Sequence, residues 1–440
     1  MKKILQKRQL QTVMLLFAVI FILLCGVAYT ISTRDSGSAS IPTVSEKPPH
    51  EILREARASA NERIMWETNL GGTENESPVS VFTKNNEIYI FGNTNSSDLD
   101  FAANSQGKTR GFGARLSASG RTLGFTVFDF TVAKAIPTLS GFAVAGNEGS
   151  VAGLYLLSDT LSVTAKVMMP PTHALTACGL YVFDNRYFLV AESFNEITQK
   201  KTLLLHVYTT GLSLEREKVF SHTYSLELLD ILPYKDGYIL AAAADFQELG
   251  YLTLARFTTI SEPAYTDLNL GYAYTPAAFL PLGAGYASIS DRDGNCELLL
   301  LDENLTKTDV KFLTKTPNAN KKTLFYAAGT FAYTGEKLIE LSADGRSVGS
   351  VEFAPKEIAA FASNGTAAFV AGIGSGKLDI AYIGKQSTEL YSLSVESPSC
   401  GAICAGGTSL LIAADTRAKT DDCADFFGES DVWLAKLPLL

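Results

Sequence analysis

Short apolar runs, ended by small residues and separated by turn-forming residues, recur along most of the chain. A clear example is Glu87–Thr94, EIYIFGNT, which follows the turn pair Asn85-Asn86. β-branched and aromatic residues favour strands, and paired asparagines favour tight turns. Gly111–Leu116 and Arg121–Val127 have the same character and follow at short intervals. The pattern predicts an antiparallel meander for this region.

The same unit recurs in degenerate form. Eight apolar segments end in a small residue: Ile88–Gly92, Phe142–Gly146, Tyr187–Ala191, Tyr238–Ala242, Tyr286–Ser290, Phe331–Gly335, Ala368–Gly372 and Leu410–Ala414. Their ends are on average about 46 residues apart, which is typical of one four-stranded propeller blade. The spacing predicts an all-β, eight-bladed β-propeller, or a seven-bladed one if the unit around Phe331 is not independent. We interpret the small residues as relief of crowding near the propeller axis.

The two ends of the repeat region complement each other. Asp431–Leu437 resembles the third strand of a blade and has no successor, whereas Ile64–Gly72 resembles an outer strand without a blade of its own. Pairing of residues 62–70 with 431–437 would close the ring and remove exposed sheet edges. The propeller is therefore expected to span residues 62–440.

The N-terminal region predicts a membrane anchor. Val13–Ile31 contains nineteen residues without a charge, about the length that crosses a bilayer as a helix. Four cations precede this run, so the positive-inside rule places residues 1–12 in the cytoplasm and the rest outside. The long apolar run favours an uncleaved anchor over a cleaved signal peptide. Residues 32–61 are expected to form a stalk with a short helix beginning near Glu51.

Charge argues against nucleic acid as a partner. The chain has 37 basic and 46 acidic residues, a net charge of −9. Without the four cations that precede the apolar run, 33 basic and 46 acidic residues remain, a net charge of −13. An acidic surface repels phosphate backbones. The membrane and a surface protein or glycan are the expected partners.

The cysteines indicate an exported protein that is not built on disulfides. Cys178 and Cys296 lie in apolar strand-like segments and are expected to be small core residues. Cys423 has two candidate partners for a bridge in an oxidising compartment, Cys400 and Cys404. Cys400 and Cys404 are not expected to pair with each other, because four residues of extended strand separate them too widely.

No catalytic, cofactor-binding or metal-binding residue is assigned from the sequence. The four histidines, His50, His173, His206 and His222, occupy non-equivalent segments without a nucleophile motif nearby. An acidic group in two loops, Asp98 and Asp100 with Asp421, Asp422 and Asp425, lacks the ordered spacing of a calcium loop. The acidic residues are expected in solvent-exposed loops, and the histidines are expected to be either hydrogen-bonded within the fold or exposed.

The first and last blades carry a family resemblance. Trp66–Gly72, Ile88–Asp98 and Gly113–Leu116 resemble the bacterial extracellular β-propeller repeat often called the SBBP or Delta-60 type. Ala414–Thr416 and Gly428–Leu437 are similar to the same unit, while the middle blades lack its Asp-x-Trp-x-x-Lys-Leu pattern. The resemblance implies a secreted or surface propeller, and it supplies no catalytic residue.

These observations together predict a membrane-anchored, single-pass protein with an extracellular propeller. Its expected role is that of a binding or scaffold module at a bacterial cell surface, not an enzyme. The alternative is a surface hydrolase or lyase that acts on carbohydrate or peptide.

Overall fold

The computed structural model describes residues 57–59, 64–104, 108–170, 174–246, 249–272, 274–292, 295–315, 322–374, 377–385, 387–393, 401–406, 409–416 and 430–438. The chain divides into two units, Met1–His50 and Glu51–Leu440, and all described residues belong to the second. The predicted cytoplasmic tail and transmembrane segment lie outside them. No helix among the described residues is long and apolar enough to cross a bilayer.

The first two strands that the structure describes are β1 (Arg57–Ser59) and β2 (Trp66–Leu70). Sixteen strands follow and form blades 1 to 4 in succession: β3 (Glu76–Lys84), β4 (Glu87–Thr94), β5 (Arg110–Ser117) and β6 (Thr122–Val127); β7 (Thr131–Thr138), β8 (Gly141–Glu148), β9 (Val151–Leu157) and β10 (Val163–Met168); β11 (Leu175–Phe183), β12 (Arg186–Asn195), β13 (Lys200–Thr209) and β14 (Leu214–Phe220); β15 (Ser225–Tyr234), β16 (Gly237–Phe246), β17 (Leu249–Phe257) and β18 (Ala264–Tyr272).

Blades 5 to 8 continue in the same way: β19 (Thr275–Leu282), β20 (Gly285–Arg292), β21 (Asn295–Leu301) and β22 (Lys307–Lys315); β23 (Leu324–Tyr326), β24 (Thr330–Tyr333), β25 (Lys337–Leu341) and β26 (Ser347–Glu352); β27 (Glu357–Ser363), β28 (Ala368–Ile373), β29 (Leu378–Ile383) and β30 (Thr388–Leu393); β31 (Gly401–Gly406), β32 (Ser409–Thr416) and β33 (Asp431–Pro438). One 3-10 turn, Leu99–Phe101, lies between β4 and β5.

Each blade is built on an antiparallel meander whose first strand is innermost, and the first strands of most neighbouring blades contact each other. Eight sheets result, so the eight-bladed all-β propeller is confirmed and the seven-bladed alternative is wrong. The unit around Phe331 forms blade 6, the blade with the shortest innermost strand. Its four strands have only three to six residues each, so the unit is short in the sequence.

The two ends of the propeller meet in blade 8. β2 is the fourth strand of this blade and pairs antiparallel with β33, from Trp66 opposite Lys436 to Leu70 opposite Val432. The Trp433 indole Nε1 donates a hydrogen bond of 2.6 Å to the carboxylate of Glu67. These contacts join the start and the end of the repeat region in one sheet.

The segment before the ring does not form the helix that its sequence predicts. Arg57–Ser59 was expected in a short helix, but it forms β1, which pairs parallel with β30 and adds a fifth strand to blade 7. A helix as short as the one expected is marginal in water without tertiary packing. The free edge of an outer strand offers unpaired N–H and C=O groups that an extended segment satisfies.

The core lies between the blades. Eight hydrophobic clusters are found, and each contains residues from two neighbouring blades. The second strand of each blade contributes side chains to the clusters on both of its faces. In β4, Ile88 and Ile90 face blade 8, while Tyr89 and Phe91 face blade 2. Because strand side chains alternate between faces, a strand buried on both faces must be apolar at every position.

The small residues that mark the repeat serve a different purpose from the one expected. Seven of the eight lie on the second strands, not on the innermost ones, and Gly335 follows the end of β24. Six of the seven oppose a β-bulge in the innermost strand. Across from Gly92, for example, the register shifts between Pro78 and Ser80, and a Cβ on Gly92 would lie 2.5 Å from the Ser77 carbonyl oxygen. The small residues make room for the bulge, which increases the local twist of the innermost strand.

The closing strand is predicted to contribute strongly to stability. Leu70 is buried against β4 and β33, so Leu70→Ala should lower the free energy of unfolding by about 2–5 kcal/mol. Met65→Ala is the control, because Met65 precedes the same strand and is 58% exposed. Chemical denaturation monitored by tryptophan fluorescence gives both values. Equal effects of the two substitutions would show that β2 does not hold the ring.

Candidate functional site

The bulges place three residues at equivalent positions in blades 2, 3 and 4. Lys134, Gly179 and Asp230 each directly follow the extra residue of the bulge in their innermost strands, β7, β11 and β15. A bulge reverses the face on which the following side chains lie. Two charged groups therefore lie on the innermost strands of alternate blades, with a glycine between them.

The glycine makes room for an aromatic side chain. A Cβ on Gly179 would lie 2.9 Å from Cε2 of Tyr181 and 2.8 Å from Cδ2 of Leu228. Both distances are too short for a real contact, so the Tyr181 ring packs directly against the Gly179 backbone. The ring then lies beneath the ammonium group of Lys134, whose Nζ is 4.3 Å from its centroid. That distance is typical of a cation–π contact.

The hydroxyl end of Tyr181 contacts a carboxyl group. The Tyr181 hydroxyl interacts with the side chain of Asp230, and Asp230 Oδ1 also accepts a hydrogen bond of 2.9 Å from the backbone N–H of Ile231. We refer to Lys134, Tyr181 and Asp230 as the inner-strand cluster. The phenol of Tyr181 thus contacts an ammonium group from one neighbouring blade and a carboxyl group from the other.

Burial shifts the pKa of each of the three groups in the direction that favours its neutral form. Loss of hydration lowers the pKa of Lys134, and the Asp230 carboxylate opposes this shift. Burial likewise raises the pKa of Asp230, against the hydrogen bond from Ile231 and the charge of Lys134, and it raises the pKa of Tyr181. Desolvated charges of this kind concentrate at functional sites and also in structural ion pairs.

The contacts of Lys134 favour a binding site over a structural ion pair. Within the described part of the chain, its Nζ forms neither a hydrogen bond nor an ion pair with an oxygen atom, and its close partner is the Tyr181 ring. Lys134 and Asp230 are half-buried and keep contact with solvent. An ammonium group has three N–H donors, which the described residues leave for a ligand.

The two described histidines are engaged elsewhere. His206 is buried on β13 with Nδ1 2.9 Å from the Tyr208 hydroxyl, and burial lowers its pKa. His222 Nε2 lies 2.9 Å from Asp267, and Thr253 donates to the other oxygen of that carboxylate. Thr253 therefore bonds to the aspartate and not to the histidine, which differs from a nucleophile–base pair. His50 and His173 lie outside the described residues.

The acidic loop of blade 1 has a structural role. Asp98 and Asp100, expected in a solvent-exposed loop, accept hydrogen bonds of 2.9 and 3.1 Å from the backbone N–H groups of Thr73 and Gly71. Glu76 and Ser96 accept the backbone N–H groups of the other two residues in this turn, so four successive N–H groups are satisfied. Asp421, Asp422 and Asp425 lie outside the described residues. No group of metal-binding side chains is found among those that are described.

One cysteine expectation is confirmed and one is wrong. Cys296 is buried in the core, whereas Cys178 is exposed because it is the extra residue of the bulge in β11. Cys178 contributes to the electrostatic surroundings of Lys134 and Tyr181. Cys404 is a free thiol, and Cys400 and Cys423 lie outside the described residues.

Sequence reasoning missed the inner-strand cluster, although a signal for it exists. Lys134 is the one charged residue of β7, Asp230 lies in the apolar run of β15 after Leu228, and the two coincide when the blades are aligned on their small residues. That alignment requires the bulge, because the register differs by one residue on its two sides. Strand pairing, which a single sequence does not reveal, was therefore needed to find the cluster.

The strand order defines the class of this protein as an eight-bladed β-propeller. No protein-family model and no curated protein matches the chain. Many solved structures share its general architecture at low identity. The SBBP or Delta-60 interpretation thus stays a resemblance of the first and last blades.

Three of these structures illustrate the range. An acylaminoacyl peptidase from Pyrococcus horikoshii is 11% identical, with a TM-score of 0.41 over 84% of this chain and 52% of its own. A putative 6-phosphogluconolactonase from Bacteroides fragilis is 11% identical, with a TM-score of 0.45 over 74% and 97%. The Pan2 WD40 domain of Neurospora crassa is 8% identical, with a TM-score of 0.39 over 81% and 89%. The chain spans about half the length of the peptidase structures.

The glycine beneath Tyr181 is predicted to be essential for local packing. Gly179→Ala should lower the free energy of unfolding by about 1–3 kcal/mol, because the new methyl group overlaps Tyr181 and Leu228. The control is Gly124→Ala in β6, where the nearest atom to the new Cβ is 3.9 Å away. Urea denaturation compares the two variants. A Gly179→Ala protein as stable as the control would contradict this packing.

The electrostatic link between Asp230 and Lys134 gives a prediction with a defined sign. The negative charge of Asp230 favours the charged form of Lys134, so Asp230→Asn should lower the pKa of Lys134 further. The matched control is Glu227→Gln, an exposed carboxylate on the same strand. The ¹³Cε chemical shift of Lys134, followed by NMR as a function of pH, measures the change. An unchanged or increased pKa would show that the two groups do not interact.

Proposed function

We propose that this protein is a membrane-anchored, extracytoplasmic β-propeller that acts as a binding or scaffold module at a bacterial cell surface. The observation that carries the binding role is the inner-strand cluster, in which Lys134 has N–H groups that no described residue accepts. Clefts with a few converging polar groups on a rigid scaffold are the usual sites of ligand recognition.

The proposed location has separate support. Nineteen uncharged residues, Val13–Ile31, follow four cations, which favours a single-pass anchor with the propeller outside. The resemblance of the first and last blades to an extracellular repeat agrees with this orientation. The acidic composition beyond the anchor disfavours nucleic acid as a partner.

A binding role accounts for the cluster better than the alternative of a surface hydrolase or lyase. Glycosidases use two facing carboxyl groups, and acyl transfer by a serine or cysteine requires a nucleophile paired with a base. The inner-strand cluster provides one carboxyl group, and both described histidines are bound to other side chains. Rigid placement of the cluster on three strands suits recognition without turnover.

Crosslinking in intact cells tests the proposal. The full-length protein, with an affinity tag, is crosslinked at the cell surface and its covalent partners are identified by mass spectrometry. Lys134→Met should reduce recovery of the specific partner by about tenfold, as expected when one charge-assisted hydrogen bond is lost. Lys307→Met, at an exposed position on the outer strand of blade 5, is the control and should leave recovery unchanged. Equal recovery from both variants would contradict a binding role for the cluster.

A further inference from the structure

We infer that the inner-strand cluster binds a sugar acid, with its carboxylate on Lys134 and its neighbouring hydroxyl groups on Tyr181 and Asp230. This inference rests on the proposed binding function and specifies its ligand.

Lys134 fits a carboxylate. Its ammonium group packs on the face of Tyr181, which fixes its position and leaves its N–H groups for an acceptor. A carboxylate forms short, charge-assisted hydrogen bonds with an ammonium donor. The nearby Asp230 and the acidic chain as a whole oppose a dianion such as phosphate more strongly than a singly charged carboxylate.

Tyr181 and Asp230 fit hydroxyl groups. Asp230 accepts hydrogen bonds from the backbone N–H of Ile231 and from the Tyr181 hydroxyl, and a carboxylate has further acceptor positions beyond these two. The Tyr181 hydroxyl donates its proton to Asp230, so its oxygen would serve a ligand hydroxyl as an acceptor. A ligand that carries hydroxyl groups beside its carboxylate satisfies both side chains, whereas a simple aliphatic carboxylate leaves them without ligand contacts.

The position of the cluster adds a geometric restriction. Its three members come from three blades and are held by the bulges and by the close packing of Tyr181 on Gly179. Lys134 lies over the Tyr181 ring and Asp230 bonds to its hydroxyl, so a ligand must present its carboxylate and hydroxyl groups within one compact unit. A single hexuronate ring meets this requirement, because its carboxylate and ring hydroxyls lie within a few bonds of each other.

The test compares three probes with the full-length protein in detergent. D-glucuronate carries both kinds of group, D-glucose lacks the carboxylate, and succinate lacks the hydroxyl groups. Isothermal titration should show glucuronate binding about tenfold or more tightly than either of the others. Lys134→Met should abolish the preference for glucuronate over glucose, and Tyr181→Phe should reduce the preference for glucuronate over succinate. Lys134→Arg should retain binding of glucuronate, and Lys307→Met should behave as the unaltered protein.

The outcomes separate this inference from the proposed function. If glucuronate and succinate bind equally, or if glucose binds as tightly as glucuronate, the sugar-acid assignment is overturned. If no probe binds while Lys134→Met still removes the crosslinked partner in cells, the ligand class is wrong and the binding role stands. If Lys134→Met changes neither measurement, both fail. Circular dichroism of each variant excludes loss of fold as the cause of lost binding.

Discussion

Pairing between the first and last strands of the ring is the interaction on which the rest of the structure depends. β2 completes blade 8 by hydrogen bonding to β33, so the chain must bring Trp66 beside Lys436 before the eight blades enclose an axis. Every blade is buried by its two neighbours, and an open ring would expose two apolar faces to water. Closure thus protects interfaces that are far from the pairing of β2 with β33, which we call the seam.

The residues at the seam strengthen this pairing in several ways. The Trp66 indole N–H donates to the Ala118 carbonyl in the next blade at 3.0 Å, and Lys436 Nζ donates to the same oxygen at 3.1 Å. Gly120 has a positive φ of 83° in the turn of blade 1, and a side chain there would meet the Trp66 ring. The connection from β2 to β3 is held by four successive backbone N–H groups that bond to acidic and hydroxyl side chains. The seam therefore joins blades 8 and 1 as well as the chain ends.

The same architecture explains where charged groups are tolerated. The second strands are apolar because both faces are buried, while the innermost strands carry bulges and border the axis. A bulge leaves one residue outside the ladder, as it does for Cys178, and redirects the next. Lys134 and Asp230 occupy those redirected positions, where solvent contact offsets part of the cost of burying a charge. The candidate site is a consequence of the bulges.

Much of the fold can be predicted from the sequence, because the repeat consists of residue types that favour strands. Apolar runs ended by small residues predicted eight blades, and the unpaired runs near Trp66 and Trp433 predicted their pairing. The location of the small residues and the exposure of Cys178 did not follow, because both depend on a one-residue shift in strand register. Arg57–Ser59 pairs with a strand more than 300 residues later, and no local pattern indicates that contact. The inner-strand cluster required the same knowledge of register across three blades.

Hydrogen exchange at the seam tests the central claim most directly. If closure by β2 holds the ring together, those backbone N–H groups of Trp66–Leu70 that bond to β33 exchange only when the whole propeller unfolds, as slowly as those of β4. Mass spectrometry of the native protein in deuterated buffer compares peptides from the two strands. Slow exchange in both is the predicted result. Rapid exchange of Trp66–Leu70 while β4 stays protected would show that the blades hold together without the seam, and it would contradict this account.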